Sequence, residues 1–181
     1  MKKLFIVLFI LLFSHQAYSQ YIFKCAPTEE VESTSLKDTI IIKVFDNIPP
    51  LTEKWSSKEA SFEEIEESIV QSIQNAFPNA VVLSEESDSE DVLNINIRIE
   101  AYKGDVHAGG MGVSGVVKYT VVAVRGDTKK KKVLEESCGG AWAFGKYAPR
   151  RQLKRAFDSV NKMLFNFIKE CSNPSADIFD D

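Results

Sequence analysis

The sequence is poor in the residue types that most often carry catalysis. It has two histidines among 181 residues, and one of them, His15, lies in an N-terminal stretch that we expect to be removed. His107 is then the single histidine of the mature chain, and no serine or cysteine motif lies near it in the sequence. Since a nucleophile and a base cannot be paired, we predict that His107 is a surface loop residue, that there are no catalytic residues, and that the protein is not an enzyme.

Cysteines are also few. Cys25, Cys138 and Cys171 include no CxxC pair, and with one histidine they do not form a zinc motif, so we expect no metal or cofactor. In an oxidising compartment an odd number of cysteines indicates one bridge and a free thiol, or an intermolecular pair. We expect a bridge between Cys25 and Cys171, which would tie the N-terminal segment to the last helix. Cys138 with Cys171 is the alternative pairing, and buried free thiols are a third possibility.

Basic residues are in the minority. The chain has 22 lysines and arginines against 26 acidic residues, a net charge of -4. Removal of Lys2 and Lys3 would leave 20 basic residues against 26 acidic ones, a net charge of -6. Because nucleic-acid binding needs a basic surface, we expect no nucleic-acid partner.

Long apolar runs are limited to the N-terminus. Leu4 to Phe13 is an apolar run of ten residues that follows two lysines, whereas a membrane-spanning helix needs about 20. Ala17-Tyr18-Ser19 has the small first and third residues that signal peptidase requires. We therefore predict a signal peptide at 1–19, a periplasmic or secreted protein, and no transmembrane segment after cleavage. An uncleaved anchor is the alternative.

A lipid anchor on Cys25 is a further possibility for an exported chain. Lipid attachment requires small residues directly before the cysteine, but Tyr21 to Lys24 are bulky and charged. We therefore expect that Cys25 is not lipidated.

The clearest secondary-structure pattern is a strand with one apolar face and one polar face at 92–102. Its apolar residues alternate with Asn94, Asn96, Arg98 and Glu100. Ser61 and Glu64 fit a capping box at the start of a helix that Pro78 ends. The full pattern predicts strands at 39–48, 80–83, 92–102, 116–125 and 130–144, and helices at 62–77 and from about 149 to 171.

This order, β-α-β-β-β-β-α, predicts an α+β fold. Both helices have a single apolar side, so we expect a two-layer sandwich in which one mixed or antiparallel sheet of about five strands carries both helices on one face. The other face, which carries Asn94 and Arg98, would be open. The predicted parts are a signal peptide at 1–19, a polar linker arm at 20–37, the α/β domain at 38–171 and an acidic tail at 172–181.

A glycine-rich stretch at 103–115 contains His107 and Met111. A phosphate-binding loop leads into a helix, and this stretch leads into a strand, so we expect no nucleotide site. We predict a mobile loop that could contact a partner.

The strongest candidate binding residues precede and begin the last helix. Arg150, Arg151, Lys154 and Arg155 form a basic cluster, and Trp142 lies just before it. Positive charge at a helix N-terminus opposes the helix dipole, and arginine beside aromatic residues is typical of interfaces. A second basic run, at 129–132, is predicted to lie in a solvated hairpin turn.

The N-terminal strand at 40–48, the helix that ends in Asn75-Ala76-Phe77, and the strands at 81–83 and 91–95 resemble the small α/β domains of bacterial envelope assembly proteins. These are the lipopolysaccharide-assembly lipoprotein, the penicillin-binding-protein activator lipoproteins and the N-terminal domain of the Tol translocation protein. The resemblance covers residues 38 to 171 and implies a protein that acts by binding partners. This chain differs from the lipoproteins because it has no lipobox.

We therefore expect a non-catalytic periplasmic accessory protein that binds an envelope protein or an anionic envelope component. A small secreted hydrolase and a secreted ligand-binding module are the alternatives.

Overall fold

The computed structural model describes residues 19–29, 39–46, 56–58, 60–82, 92–107, 112–141 and 147–172. Residues 1–18, which hold most of the predicted signal peptide, and the tail at 173–181 lie outside this part of the chain. The described elements are β1 (Ser19–Ile22), β2 (Thr39–Asp46), β3 (Ser56–Lys58), α1 (Phe62–Ala76), β4 (Ala80–Val82), β5 (Val92–Val106), β6 (Gly112–Arg125), β7 (Thr128–Ala141) and α2 (Tyr147–Ser172).

The predicted α+β class, with one mixed sheet and two helices, is confirmed. The five predicted strands are present as β2, β4, β5, β6 and β7, and two short strands, β1 and β3, extend the sheet to seven strands among the described residues. The sequence did not predict β1 and β3.

The long strand β5 organises the sheet. The first half of one edge pairs with β2 in parallel, from Thr39 opposite Val92 to Asp46 opposite Ile99. The second half of the same edge pairs with β1 in antiparallel. On its other edge β5 pairs with β6, which pairs with β7, so 92–141 forms an antiparallel meander. Two parallel pairs complete the sheet, β4 on β2 and β3 on β1.

Helix α1 connects the parallel strands β2 and β4. It begins with the predicted capping box: the Glu64 N–H donates to Ser61 Oγ at 3.3 Å, and the Ser61 N–H donates to Glu64 Oε2 at 2.8 Å. These two bonds satisfy N–H groups that have no partner within the helix. Its apolar stripe of Ile65, Ile69 and Ile73 is buried in the core.

Helix α2 lies along the meander. It contacts β5, β6, β7 and also α1, so both helices share one face of the sheet. Its Leu153, Phe157 and Leu164 are fully buried. The sheet residues that face the helices include the alternate apolar side chains predicted for β5, namely Leu93, Ile95, Ile97 and Ile99, and they are joined by Val117, Tyr119 and Val121 of β6.

The predicted linker arm at 20–37 is wrong for its first ten residues. Ser19–Ile22 is a strand, and Phe23, Cys25 and Thr28 are buried. We call residues 23–29 the N-terminal strap. The strap has no regular secondary structure, but its side chains contact the helices. It is therefore part of the folded domain.

Thr28 holds the strap to both helices. The Thr28 N–H donates to Ser72 Oγ of α1 at 2.8 Å, and Thr28 Oγ1 donates to Asp158 Oδ1 of α2 at 2.8 Å. Asn161 Nδ2 donates to Thr28 Oγ1 at 3.0 Å. Buried polar groups need such partners, since an unsatisfied one costs about 1–3 kcal/mol. Thr28 is therefore the polar link between the strap, α1 and α2.

The predicted glycine loop at 103–115 is mostly strand, because β5 continues to Val106 and β6 begins at Gly112. Several of its glycines allow helix α2 to approach the sheet. A Cβ on Gly115 would lie 2.1 Å from the backbone nitrogen of Leu153, and one on Gly104 would lie 3.0 Å from the Pro149 carbonyl oxygen. These glycines serve packing. Met111 lies outside the described residues.

Neither predicted disulfide is formed in the structure, in which Cys25, Cys138 and Cys171 are free. Cys25 lies within the electrostatic reach of Arg150, Lys154 and Asp158, near the start of α2, whereas Cys171 is in its last turn. At 1.5 Å per residue the helix separates the two by about 20 Å, and a disulfide needs Cα atoms within about 7 Å.

Cys138 is equally far from Cys171. It is paired with Gly115 at the start of β6, while Cys171 lies near Lys130 and Lys132 at the opposite end of β7. Six residues of strand between Lys132 and Cys138 span about 20 Å, which excludes a bridge.

Three smaller differences concern β7 and α2. The lysine run at 129–132 lies in β7 rather than in the turn, which is Gly126-Asp127 with Gly126 at a φ of 49°. The Gly139-Gly140 pair in the sequence also indicates a bulge or bend, but the pairing of β6 with β7 is regular there, and a register shift lies instead between Ile99 and Ala101. Helix α2 begins at Tyr147, so Pro149 is its third residue, within the first turn where proline is tolerated.

Candidate binding surface at the start of helix α2

The predicted basic cluster divides into two pairs of side chains. On an α-helix, residues four apart lie on the same face. Arg150 and Lys154 therefore share one face, and Arg151 and Arg155 share the next. The structure gives these two pairs different surroundings.

Arg150 and Lys154 are used within the fold. Arg150 Nη2 donates to the Lys24 carbonyl oxygen at 3.5 Å, and its guanidinium carbon lies 5.7 Å from the centroid of the Phe23 ring. Lys154 Nζ pairs with Asp158 and lies 5.8 Å from the centroid of the Phe157 ring. Cation–π and ion-pair contacts of this kind stabilise partly exposed positions modestly. Arg150 therefore covers the strap, and Lys154 pairs with Asp158, the residue that accepts the Thr28 hydroxyl of the strap.

Arg151 and Arg155 are exposed. Within the described part of the chain neither of them forms an ion pair, and Arg155 Nη1 donates to Gln152 Oε1 of the same helix at 3.4 Å. The first turn of α2 has no acidic residue, in contrast to α1, whose first turn has Glu63 and Glu64. Arg151, the fifth residue of α2, therefore lies close to the positive end of the helix dipole, and Arg155 lies one turn further along the helix.

His107 lies at the same end of the sheet as this pair. Its N–H donates to the Gly112 carbonyl oxygen at 2.9 Å, which closes the described ends of β5 and β6, and its side chain is exposed. Gly104, three residues earlier, contacts Pro149 in the first turn of α2. Trp142, the aromatic residue predicted to accompany the arginines, lies outside the described residues.

Burial in the core favours the neutral forms of one thiol and two phenols, those of Cys25, Tyr102 and Tyr119. Cys25 is buried beside Tyr102, and this burial raises the pKa of its thiol. Tyr102 donates from its hydroxyl to the Phe23 carbonyl oxygen at 2.9 Å. Burial raises the pKa of both Tyr102 and Tyr119 well above the ordinary value of 10.0. Such groups suit packing, because neutral thiols and phenols are weak nucleophiles.

The described residues contain neither a metal-binding cluster nor a helix suited to cross a membrane. No group of three or more histidine, cysteine, aspartate or glutamate side chains is placed to hold a metal ion there. Neither of the two described helices combines the length and the apolar composition that a membrane crossing requires.

Sequence reasoning missed the contribution of the strap to this surface. The signal that could have revealed it is the apolar Tyr21-Ile22-Phe23 run before Cys25, which is unusual for a solvated linker. Of the four predicted basic residues, Arg150 packs over Phe23 of the strap, and Lys154 packs over Phe157 of its own helix.

Comparison with known proteins gives no family. No family model matches the chain, and no curated protein matches it. A solved structure of an uncharacterized protein is similar at 10% identity, over 76% of this chain and 99% of that one, with a TM-score of 0.49.

Two other solved structures are similar at 8% identity and a TM-score of 0.42. They are the hypothetical protein CT253 from Chlamydia trachomatis, matched over 78% of this chain and 98% of that one, and a neuraminyllactose-binding hemagglutinin homolog from Helicobacter pylori, matched over 84% and 96%. With TM-scores below 0.5, none of the three similarities bears on function.

Proposed function

We propose that this protein is an exported, non-catalytic binding protein of the bacterial cell envelope, and that it contacts an anionic envelope component through Arg151 and Arg155. The observation that supports this most directly is that both guanidinium groups are exposed and form no ion pair within the described residues. Of the other two basic residues of the cluster, Arg150 contacts Phe23 and Lys24 of the strap, and Lys154 is paired with Asp158.

The chemistry of arginine suits an anionic partner. Its planar guanidinium donates two parallel hydrogen bonds to a phosphate or a carboxylate. The chain as a whole is acidic, with a net charge of -4. An anionic partner would therefore be attracted by the two arginines and repelled by the net charge of the rest of the protein. Binding should therefore weaken as salt screens the close contacts, over a Debye length of about 8 Å at physiological ionic strength.

Placement in the envelope is supported by the sequence. A basic start, a ten-residue apolar run and an Ala17-Tyr18-Ser19 site fit a cleaved signal peptide, and the resemblance to envelope assembly domains agrees with it. Intact mass spectrometry of the exported protein tests this part: a mature chain that begins at Gln20 is expected, and a chain that retains residues 1–19 would contradict it.

The binding part is tested with the double variant Arg151→Glu/Arg155→Glu. Binding is measured by co-sedimentation with vesicles that contain phosphatidylglycerol and, separately, with lipopolysaccharide. The control is Lys129→Glu/Lys162→Glu, which has the same charge change at two exposed positions away from the cluster. We expect the affinity of the arginine variant to fall by at least about tenfold, equivalent to 1.4 kcal/mol. The affinity of the control should stay within about twofold of the wild type.

Equal losses in the two variants would show a general charge effect and contradict a local site. A wild-type protein that binds neither preparation, while Arg151 and Arg155 still determine recovery of a protein from an envelope extract, would replace the anionic component with a protein partner.

A further inference from the structure

We propose that two copies of this chain pair through the outer edges of strand β7, in antiparallel, with the two-fold axis at Val133. The two sheets would then form one continuous sheet. This proposal is independent of the arginine surface, which lies at the start of α2.

Strand β7 has a long open edge. It runs from Thr128 to Ala141 and pairs along its whole length with β6. Among the described residues no strand pairs with its other side. An unpaired edge of this length presents a row of backbone donors and acceptors that another strand can satisfy.

The pleat of β7 limits how two copies can meet. Leu134 and Cys138 face the helices, opposite Tyr119 and Gly115 of β6, and Val133 faces the other way. In a continuous sheet, directly opposite residues point to the same face. If both copies keep their helices on the same side of the sheet, even-numbered residues of β7 must lie opposite even-numbered residues of the second copy, and odd-numbered residues opposite odd-numbered ones. One residue of β7 then lies directly opposite its own copy, with the two-fold axis between them.

Charge selects which residue this is. With the axis at Val133, Lys131 lies opposite Glu135 of the second copy, and Lys130 lies opposite Glu136 of the second copy. Symmetry doubles both pairs, so four lysines meet four glutamates. An axis at Lys131 or Lys132 would instead place lysine opposite lysine, which is destabilising.

The neighbouring register is less favourable. An axis at Leu134 keeps opposite charges only between Lys132 and Glu136, and it places the apolar Val133 against Glu135. The Val133 register gives twice as many pairs of opposite charges. The lysine run would thus discourage pairing with other strands, while the glutamates that follow it allow pairing with a second copy.

Exposure at the proposed axis agrees with this register. Val133 is 52% exposed, and the only other large apolar side chain this exposed in the described part of the chain is Val81. Pairing would bring the two Val133 side chains together on the face away from the helices and cover them. This face is exposed at Val133 but not at Asn94 of β5, which was predicted to be open and is buried. Glu135 is bound to Lys118 through one oxygen, at 2.9 Å, and its side chain is 52% exposed, which leaves its second oxygen for Lys131.

The helices leave room for this arrangement. Helix α2 contacts β6 most extensively, with β5 on one side and β7 on the other. The two β6 strands of the pair would be three strand spacings apart, about 14 Å. Packed helices approach to 8–10 Å, so helices centred on β6 have room. The last turns of α2, where Glu170 pairs with Lys132 Nζ at 3.5 Å, would lie closest to the second copy.

A charge-swap experiment tests the register. The exported protein is measured by sedimentation velocity over a range of micromolar concentrations, and a concentration-dependent dimer is expected. Lys131→Glu and Glu135→Lys each place like charges opposite each other twice, and each should weaken dimerisation by about tenfold. The double variant Lys131→Glu/Glu135→Lys restores opposite charges and should recover most of the loss. A monomer at every concentration, or a double variant weaker than both single variants, would overturn the proposal.

A cross-linking experiment tests the axis. In a Cys138→Ser/Cys171→Ser background, Val133→Cys places two thiols on the axis, where opposite Cα atoms are about 4.5–5.5 Å apart, within disulfide range. Lys129→Cys is the matched control, since it lies on the same strand and face but meets Ser137 of the second copy. Rapid oxidation to a covalent dimer is expected for Val133→Cys alone. Equal oxidation rates for the two variants would refute pairing at Val133. So would a non-covalent dimer in which neither the Val133→Cys nor the Lys129→Cys variant forms a disulfide.

Discussion

Replacement of Gly115 by alanine tests whether the glycines of the meander set the height of helix α2. A Cβ at this position would lie 2.1 Å from the backbone nitrogen of Leu153 and 2.4 Å from its Cα. Both contacts are with helix backbone, so no side-chain rotation can relieve them. The helix must move away from β6 by roughly an ångström, and its buried side chains must move with it.

The expected magnitude follows from two opposing effects. Alanine in place of glycine within a strand normally stabilises the folded state by about 0.5–1 kcal/mol, because the alanine chain loses less conformational entropy on folding. Overpacking of a well-packed core costs about 1–3 kcal/mol, and more when backbone has to shift. We expect a net loss of about 2 kcal/mol, which for a chain of this size lowers the melting temperature by about 4–8 °C.

Urea denaturation and thermal melting would measure this loss, with Gly139→Ala as the matched control. A Cβ on Gly139 would meet the Val113 carbonyl oxygen at 3.7 Å, an ordinary contact. This control should therefore be neutral or slightly stabilised. If Gly115→Ala were as stable as the control, the argument that glycine is required for close packing of α2 would be refuted.

Two further predictions concern the polar groups of the core. Thr28→Val keeps the shape of Thr28 but removes the hydroxyl that bonds Asp158 and Asn161, so it should destabilise by about 1–3 kcal/mol in urea, whereas the exposed Thr128→Val should change stability by less than about 0.5 kcal/mol. Tyr119 has a fully buried hydroxyl without a partner in the described residues, so Tyr119→Phe should stabilise by about 1 kcal/mol, and Tyr102→Phe, which loses the bond to Phe23, should destabilise by a similar amount. Burial raises the pKa of both tyrosines above the unfolded value of about 10. Below that pH both are neutral in the folded and the unfolded chain, and as pH rises toward the folded pKa values the unfolded chain loses these protons first, so stability falls. Alkaline unfolding followed by circular dichroism should therefore begin above about pH 10 and shift upward in Tyr119→Phe.

The regular elements could be predicted because their residues repeat with the period of the backbone. Leu93, Ile95, Ile97 and Ile99 alternate because every second side chain of β5 faces the helices. Ser61 and Glu64 form a local motif whose two hydrogen bonds span three residues. Patterns of this kind are visible in a single sequence, since the interaction partners are close along the chain.

The strap and the glycine contacts could not be predicted for the opposite reason. Thr28 bonds Asp158 and Asn161, which are more than 100 residues away in sequence, and nothing local to Thr28 indicates them. Gly115 resembled a loop residue until the position of Leu153 was known. The same applies to the basic cluster, where only the location of Phe23 shows that Arg150 covers an aromatic ring.

Arg151 provides a case in which stability and binding should change in opposite directions. Like charges four residues apart on a helix, such as Arg151 and Arg155, cost about 0.2–0.5 kcal/mol, and a cation near a helix N-terminus opposes the dipole. Arg151→Glu reverses both effects, because the new carboxylate precedes Arg155 by four residues. The free energy of unfolding should rise by about 0.5–1 kcal/mol, while binding to phosphatidylglycerol vesicles falls. Loss of both properties would indicate damage to the fold, and a gain in stability with unchanged binding would show that Arg151 takes no part in recognition. An unfavourable charge placement that improves binding would explain why this helix begins with arginine where α1 begins with glutamate.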